Sequence, residues 1–369
     1  MMRIDFSMKP VWIVLLLLVT VQISAYDIEP LSTCTQEQIN NANALTGTYT
    51  PSGTTGFITL QDNQFMLNDE PYAVRGINYY PAQYPWRRFL VESDLEIVRQ
   101  ELTLLKEANL NTLRIFLWNE ALFQCFGSGA VPNPAHFQKL DAIIQLAAEL
   151  DFRLIVTLND LPDLENYPLY HNPPHNAQQT AYIVSRYREE AAILAWDVRN
   201  EGDIDYGTHP NLLGHFERET VLNWLEMTGD NILAIDNNHL ITAGWLYDAE
   251  STAPYVDFIS FHHWTDSADL AERIATIQAA TDKPILLQEV GYATFMRTER
   301  AQANDLDEVL TAAEDADLLG WLVWAAFDFP TDASCYPSPC QSPNNQEHYF
   351  GLWRTDYTPK LAVEVIQNR

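Results

Sequence analysis

The chain has 369 residues, 47% hydrophobic and 19% charged, which suits one large globular domain or two ordinary ones. Its 50 acidic residues outnumber 21 basic ones, so the formal net charge is −29. Such a field repels nucleic acid and anionic membranes; we therefore expect neither as a partner and assign the charge to a soluble surface.

The N-terminus has the features of an export signal. Two basic residues precede the apolar run Val11–Val21, and Ile23-Ser24-Ala25 is typical of a cleavage site. We therefore predict that residues 1–25 are a signal peptide and that the mature chain is secreted. An uncleaved anchor is the alternative, although the apolar run is shorter than the roughly 20 residues that a membrane-spanning helix needs.

Four cysteines make disulfides possible in an exported chain. Cys335 and Cys340 enclose the proline-rich loop CYPSPC and predict a local bridge, which leaves Cys34 and Cys125 to pair by elimination. No cysteine pair has the spacing of zinc ligands with a histidine nearby, so we expect no metal site.

The segment before the first long apolar run has two parts. Residues 26–55 are rich in Thr, Asn, Gln, Ser and Gly without a period, which predicts a linker or a loosely attached arm. Phe57–Leu60 and Gln64–Leu67 then flank a short polar turn, and this pattern predicts a β-hairpin.

From residue 72 onwards, strand-like and helix-like segments alternate. The strand-like runs are Tyr72–Tyr80, Asn111–Trp118, Phe152–Asn159, Ile193–Asn200, Leu240–Gly244, Asp257–Trp264, Pro284–Val290 and Trp321–Phe327. The segments with apolar residues at steps of three and four are Leu95–Leu110, Ala135–Leu150, Gln178–Ala192, Arg218–Ile235, Asp269–Ala280, Arg300–Leu318 and Pro359–Gln367.

This alternation predicts an α/β fold, a (β/α)₈ TIM barrel with a short N-terminal hairpin, as one domain over residues 56–369. The length agrees, since such barrels take about 250 residues. An open doubly wound sheet is the alternative. It would need a glycine-rich phosphate-binding turn after an early strand, and the sequence has none.

In such barrels the chemistry lies at the C-terminal ends of the strands. Strand one ends in Asn78-Tyr79-Tyr80, followed by Tyr84 and Trp86. Aromatic faces at this place suit stacking on sugar rings, and ordinary packing at the rim is the alternative.

Strands two to four add polar groups. Arg114 lies inside the apolar run LRIF, where a cation is costly unless it is paired, so we expect it to reach a carboxylate of the site or to form a structural salt bridge. Strand three ends in Asn159-Asp160, which is polar but not diagnostic. Strand four ends in Asn200-Glu201, a carboxylate and an amide that are poor core residues.

The last three strands complete the set. Strand six ends in His262-His263-Trp264, and strict alternation would put the first and third of these on one face. Strand seven ends with Glu289, a second carboxylate. Strand eight carries Trp324, which either floors a sugar site or belongs to the barrel wall.

Together the motifs resemble a known group of enzymes. They are RGINYYP at strand one, NTLRIFLW at strand two, WDVRNEGD at strand four, SFHHW at strand six, LLQEVG at strand seven and VWAAFDF at strand eight. In this order they resemble the retaining glycoside hydrolases of the large (β/α)₈ clan, most closely family 5, the cellulase and mannanase family.

The resemblance implies roles for individual residues. Glu201 would be the general acid/base, kept protonated by burial and a neighbouring anion, and Glu289 would be the nucleophile. Arg114 would hold Glu289 ionised, and Asn200 would bond the 2-hydroxyl of the sugar. The complete set implied for substrate binding is Tyr80, Arg114, Asn200, His262, Trp264 and Trp324.

Two positions depart from the family pattern. The family usually has a tyrosine two residues after the strand-six histidine, where it bonds the nucleophile, and Trp264 stands there. The strand-three position often holds a histidine, and here it is Asn159 or Asp160. These departures suggest an unusual branch of the family.

The implied activity is that of a secreted, monomeric retaining β-glycosidase. It would hydrolyse O-glycosidic bonds of a β-linked glucan or mannan by double displacement, with no metal or organic cofactor. Two alternatives stay open: a β-glycan transglycosidase that uses the same carboxylates, with Tyr79, Tyr80, Tyr84 and Trp86 as an acceptor platform, or a non-catalytic carbohydrate-binding barrel.

Overall fold

A computed structural model describes residues 32–162, 164, 169–170, 173–207, 215–333 and 345–369. Its centre is a ring of parallel strands, numbered here one to eight along the chain. They are Val74–Asn78, Thr112–Phe116, Arg153–Thr157, Ile193–Asp197, Leu240–Thr242 with Gly244–Trp245, Ile259–His263, Ile285–Val290 and Gly320–Val323. Almost all of their residues are buried, as expected for strands covered on both faces.

Strand five closes the ring through its two pieces. Leu240–Thr242 pairs with strand four, and Gly244–Trp245 pairs with strand six. The remaining strands pair in the order four, three, two, one, eight, seven, six. Because only Ala243 separates the two pieces, the sheet returns to its own start, and the predicted (β/α)₈ TIM barrel is confirmed.

Helices surround the strands. They are Gln36–Thr46, Arg88–Glu92, Leu95–Glu107, Asn119–Leu122, Pro134–Glu149, Pro173–Tyr187, Arg218–Leu233, Ser267–Ala280, Glu299–Asp315 and Ala362–Gln367. Local signals set several of their starts: the Asp94 carboxylate accepts a hydrogen bond from the Glu96 N–H at 2.8 Å, and Pro134 opens its helix. A 3₁₀ segment, Ala249–Tyr255, replaces the helix between strands five and six.

The predicted hairpin closes the N-terminal end of the barrel. Thr59–Gln61 and Gln64–Leu67 pair antiparallel around Asp62 and Asn63, which both have positive φ as a tight hairpin turn requires. Phe65 packs edge-on against Phe258 with ring centroids 4.9 Å apart. This end of the barrel is therefore a sealed apolar core, and the opposite end is left for the site.

The arm over residues 26–55 differs from the loose linker that we expected, as far as it is described. Gln36–Thr46 is a helix with a capping box between Thr35 and Gln38. A disulfide from Cys34 to Cys125 joins the arm to the barrel, as predicted by elimination. Further along, Glu190 accepts hydrogen bonds from the Tyr49 hydroxyl and from Ser52. The polar composition of the arm therefore gave no sign that it attaches to the barrel through hydrogen bonds and a disulfide.

Two predictions fall outside the described residues. The signal peptide over residues 1–25 is one, and the bridge between Cys335 and Cys340 is the other. Within the described parts of the chain, none of the helices combines the length and the apolar character needed to cross a bilayer.

Candidate active site

The two predicted carboxylates meet at the C-terminal end of the barrel. Glu289 belongs to strand seven, and Glu201 follows strand four by four residues. One oxygen of each carboxylate and one ring nitrogen of His262 all lie within 4.8 Å of one another. Three such atoms could also hold a metal ion, but Arg114 already binds Glu289. The set therefore suits proton transfer and nucleophilic attack.

The backbone places Glu201 in an uncommon conformation. Its φ of 49° and ψ of 43° lie in the left-handed region, which non-glycine residues rarely adopt and which recurs at functional sites. Its N–H donates to the Gly244 carbonyl at 2.7 Å. A Cβ on the next residue, Gly202, would lie 2.9 Å from Nε1 of Trp245, so only glycine lets the chain pass there without displacing its neighbours.

Arg114 is fully buried beneath the pair and organises it. Its guanidinium donates to Asp197 from Nε at 2.9 Å and from Nη2 at 2.7 Å, and to Asn200 Oδ1 at 2.8 Å. Nη1 donates to Glu289 and to Asn78 Oδ1, the latter at 3.2 Å. The predicted pairing of Arg114 with a carboxylate therefore involves two carboxylates, one of them the expected nucleophile.

His262 connects the two glutamates. Its Nδ1 lies 3.0 Å from Glu201 Oε1 and 3.5 Å from Glu289 Oε2. Nε2 lies 3.3 Å from Gln288 Oε1, and this contact assigns the proton of the neutral ring to Nε2. A Cβ on Gly244 would lie 1.8 Å from that Gln288 oxygen, so a glycine is needed for the close approach. Nδ1 is then the ring nitrogen that faces Glu201.

Electrostatics within this group differ from what we expected. Burial favours the neutral form of Glu201, but the hydrogen bond from His262 and the nearby positive charges prevail and lower its pKa. Burial also lowers the pKa of His262, but the charge of Glu289 and the bond to Glu201 prevail and raise it. This direction runs against the expectation that burial keeps Glu201 protonated, because the hydrogen bond from His262 favours the ionised form of Glu201.

The nucleophile candidate is subject to opposing effects. Burial raises the pKa of Glu289 above its usual value and outweighs the charges of His262 and Arg114, which lower it. Arg114 thus acts in the predicted direction without dominating. Glu201 and His262 both act on the pKa of Glu289, Glu201 by raising it and His262 by lowering it.

Asp160 is a third carboxyl group at the site. Its Oδ2 accepts a hydrogen bond from the Tyr80 hydroxyl at 2.5 Å, and its Oδ1 accepts one from Asn200 Nδ2 at 3.1 Å. Burial is the largest cause that raises its pKa to about 7. Through its bond to Nδ2, Asp160 orients the amide of Asn200.

Trp324 closes the other side of the site. Its ring packs edge-on against Tyr80 and Phe116, with centroids 6.5 and 5.8 Å away, and 8% of the residue stays exposed. Its indole N–H donates to Glu347 Oε1 at 3.1 Å. Trp324 therefore belongs to the barrel wall and keeps a small surface toward the site.

Two aromatic predictions need correction. Tyr79 points away from the barrel, and its hydroxyl donates to buried Glu101 at 2.7 Å, so it cannot serve as an acceptor platform. The ring of Tyr80 is stacked on Phe116 with centroids 4.9 Å apart and is 1% exposed, so it supports Asp160 and offers no open face to a sugar.

Trp264 and His263 also lie away from the nucleophile's contacts. The pairing of strands six and seven shifts register between Phe261 and His262, and the residue that the pairing skips is Gln288 of strand seven. Trp264 is half-buried against Phe350 and lines two cavities of about 230 and 360 Å³. His263 contacts the Asp266 carbonyl at 3.0 Å.

Three residues of the site were missed by the sequence reasoning. Asp197 is a carboxylate inside a buried strand. Because a buried carboxylate needs a partner, the sequence could have predicted its pairing with the buried cation Arg114. Gln288 precedes the nucleophile candidate and orients His262. Glu347 comes from the connection after strand eight, and no local pattern marks it.

Comparison with known proteins agrees with this architecture. A family model described as "Apiosidase-like, catalytic domain" matches residues 95–316, more than half of the chain. Mannan endo-1,4-beta-mannosidase F of Aspergillus fumigatus is 23% identical over an alignment of 303 residues. That alignment covers 65% of this chain and 65% of that protein, so the chain spans just under two thirds of this relative's length.

Solved structures share the fold. An endo-1,4-beta-mannanase from Rhizomucor miehei superposes with a TM-score of 0.62 at 18% identity, covering 85% of this chain and 100% of that one. GH5_18 from Streptomyces cattleya, in complex with GlcNAc, superposes with a TM-score of 0.66 at 17% identity, covering 80% and 79%. The chain belongs to the Apiosidase-like family, and the prediction of a glycoside hydrolase resembling family 5 is confirmed.

Proposed function

We propose that this protein is an exported retaining β-glycosidase that hydrolyses O-glycosidic bonds of a β-linked glycan. Glu289 acts as the nucleophile and Glu201 as the general acid/base. The observation that carries the proposal is the approach of one oxygen of each carboxylate to within 4.8 Å. Retaining enzymes have carboxyl groups about 5–5.5 Å apart, whereas inverting enzymes separate them by about 6.5–9.5 Å to admit a water molecule.

In the first step, a Glu289 oxygen attacks the anomeric carbon, and the bond from that carbon to the leaving oxygen breaks. Glu201 donates a proton to the leaving oxygen, so the departing alcohol is neutral and a glycosyl ester of Glu289 remains. Arg114 binds Glu289 directly and keeps its attacking carboxylate oriented.

The proton for this step comes from the pair formed by Glu201 and His262. A 3.0 Å contact joins them, and the charge of Glu289 and the bond to Glu201 raise the pKa of His262. A leaving oxygen beside Glu201 takes up the proton. The net charge of Glu201 and His262 together then falls by one unit. The second step reverses the transfer: Glu201 takes a proton from water, the water oxygen attacks the anomeric carbon, and Glu289 is released.

The substrate class rests on relatives. The Aspergillus fumigatus and Rhizomucor miehei proteins are named for β-1,4-mannan, which favours a mannan or glucan type of substrate. The matching family model is described as apiosidase-like, which favours a terminal apiosyl residue as a second candidate. Export is supported by the disulfide between Cys34 and Cys125, because such bonds persist in oxidising compartments.

The test is a screen of the purified chain on β-mannan, β-glucan and aryl β-glycosides, including an apioside, with product configuration followed by NMR. We expect one substrate class to be cleaved with retention. Glu289→Ala should lose nearly all activity and regain part of it with azide, yielding an inverted glycosyl azide. Glu364→Gln, which alters an exposed carboxylate on the last helix, is the matched control and should keep parental activity.

Three outcomes would count against the proposal. Inversion of configuration in the parent would contradict double displacement. Binding of a glycan without any turnover would favour the non-catalytic barrel. Sugar transfer to a second glycan at high substrate concentration would favour the transglycosidase, although burial of Tyr79 and Tyr80 removes half of the acceptor platform considered for it.

A further inference from the structure

Glu347 is held firmly beside the catalytic pair. It lies in the 3₁₀ turn Gln346–Tyr349, and its N–H donates to Asn345 Oδ1 at 2.9 Å. The carbonyl oxygen of Tyr349 accepts from the Thr294 N–H at 2.9 Å and from Lys360 Nζ at 3.1 Å. The carbonyl oxygen of His348 also accepts from the Phe329 N–H, so the turn is tied to the barrel directly after Glu347.

The carboxylate of Glu347 has little support from the protein. Among the described residues, it accepts one hydrogen bond, from the indole N–H of Trp324 to Oε1 at 3.1 Å. Its pKa is raised to about 7, chiefly by burial, and the negative charges of Glu289, Glu201 and Asp160 contribute in the same direction. An ionised carboxylate accepts about four hydrogen bonds, so most of its accepting capacity is unused.

Such an arrangement is costly for folding. A carboxylate taken from water and placed among like charges destabilises the protein unless donors replace the lost water. An apolar side chain of similar size in place of Glu347 would avoid that cost. Hydroxyl groups of a bound sugar are the donors that this position lacks.

We propose that Glu347 is a specificity-determining residue that accepts hydrogen bonds from hydroxyl groups of an uncharged sugar ring bound between Trp324 and the catalytic pair. This rests on the proposed function and adds which residue selects the sugar. A ring with a carboxylate at that position would meet Glu347 charge against charge and bind poorly. The hydroxyls that reach Glu347 therefore decide which glycosides are good substrates.

The experiment pairs two variants with a substrate series. The parent, Glu347→Ala and Glu347→Gln are assayed on the best aryl glycoside and on its monodeoxy analogues, each lacking one hydroxyl of the sugar at the cleavage point. Glu364→Gln is again the matched control. Glu347→Gln retains the side-chain shape and an oxygen for Trp324, so it covers the case in which the alanine variant fails to fold.

We expect one or two hydroxyl deletions to lower the parent's kcat/KM by roughly 10- to 100-fold, the range for a hydrogen bond to a charged group. In Glu347→Ala these same deletions should cost less than about threefold, while the other deletions keep their parental cost. If each hydroxyl deletion lowered kcat/KM by the same factor in the parent and in the variants, the role of Glu347 would be refuted and the proposed function would stand. A folded parent that cleaves no glycoside would refute the proposed function and this inference with it.

Discussion

Replacing Asp197 by asparagine should destabilise the protein by about 3–5 kcal/mol, the range for breaking a buried ion pair. Asp197 and Arg114 are both 0% exposed. Oδ2 of Asp197 accepts from Arg114 Nε, Arg114 Nη2 and Thr157 Oγ1, the last at 2.7 Å, and Oδ1 accepts from the Gly244 N–H at 3.0 Å.

The amide of the variant cannot satisfy all of these donors. Its oxygen would take the Oδ2 place, where three donors converge, and its NH₂ would then face the N–H of Gly244. The hydrogen bond from the Gly244 N–H is thus replaced by two donors that face each other. Arg114 also loses the negative charge that compensates its burial. Loss of that charge also removes a repulsion on Glu289, so the acidic limb of kcat/KM should move to lower pH.

The assay combines urea unfolding with the pH dependence of kcat/KM on the same preparation. Glu92→Gln is the control, because it breaks the partly exposed pair with Arg88 and should cost less than about 1 kcal/mol. A loss below about 1 kcal/mol for Asp197→Asn would refute the reasoning that Arg114 depends on Asp197. A limb that moves to higher pH would refute the electrostatic part.

Three further predictions concern titration and the arm. Since the pKa of His262 is raised on folding, its stabilising effect should be complete below pH about 6.5 and fall as pH rises through the raised value; unfolding of His262→Asn should lack this slope. Burial raises the pKa of Glu101 to about 7, so its charge destabilises the fold at higher pH, and Glu101→Gln should gain roughly 3 kcal/mol at pH 8 but nothing at pH 4. Replacing Cys34 and Cys125 by serine should cost about 2–5 kcal/mol of unfolding free energy, because the bond closes a loop with a sequence separation of 91 residues; an unchanged urea midpoint would contradict this.

The barrel was predictable because its signals are local. Each strand is a short apolar run, each helix repeats apolar residues at steps of three and four, and the acidic residues come at the exits of the strands. The approach of Glu201 to Glu289 follows from topology alone, since parallel strands of one barrel end at the same face. The pairing of Arg114 needed only the rule that a buried cation has a partner.

Other features depend on contacts distant in the chain. The register shift between strands six and seven, which skips Gln288, arises from pairing between segments that are distant in the chain. Glu347 enters the site from the connection after strand eight, and only packing against Trp324 brings it there. The contact between Glu201 and His262, at 3.0 Å, is likewise one that no sequence pattern contains.

The central claim is that Glu289 attacks the anomeric carbon. An aryl 2-deoxy-2-fluoro-β-glycoside with a good leaving group tests it most directly, because fluorine slows hydrolysis of the glycosyl ester and lets that ester accumulate. Mass spectrometry of the digested protein should then find the sugar on Glu289, and the label should be absent in Glu289→Ala. A sugar attached to Glu201, Asp160 or Glu347, or an unlabelled protein that still turns over, would contradict the account.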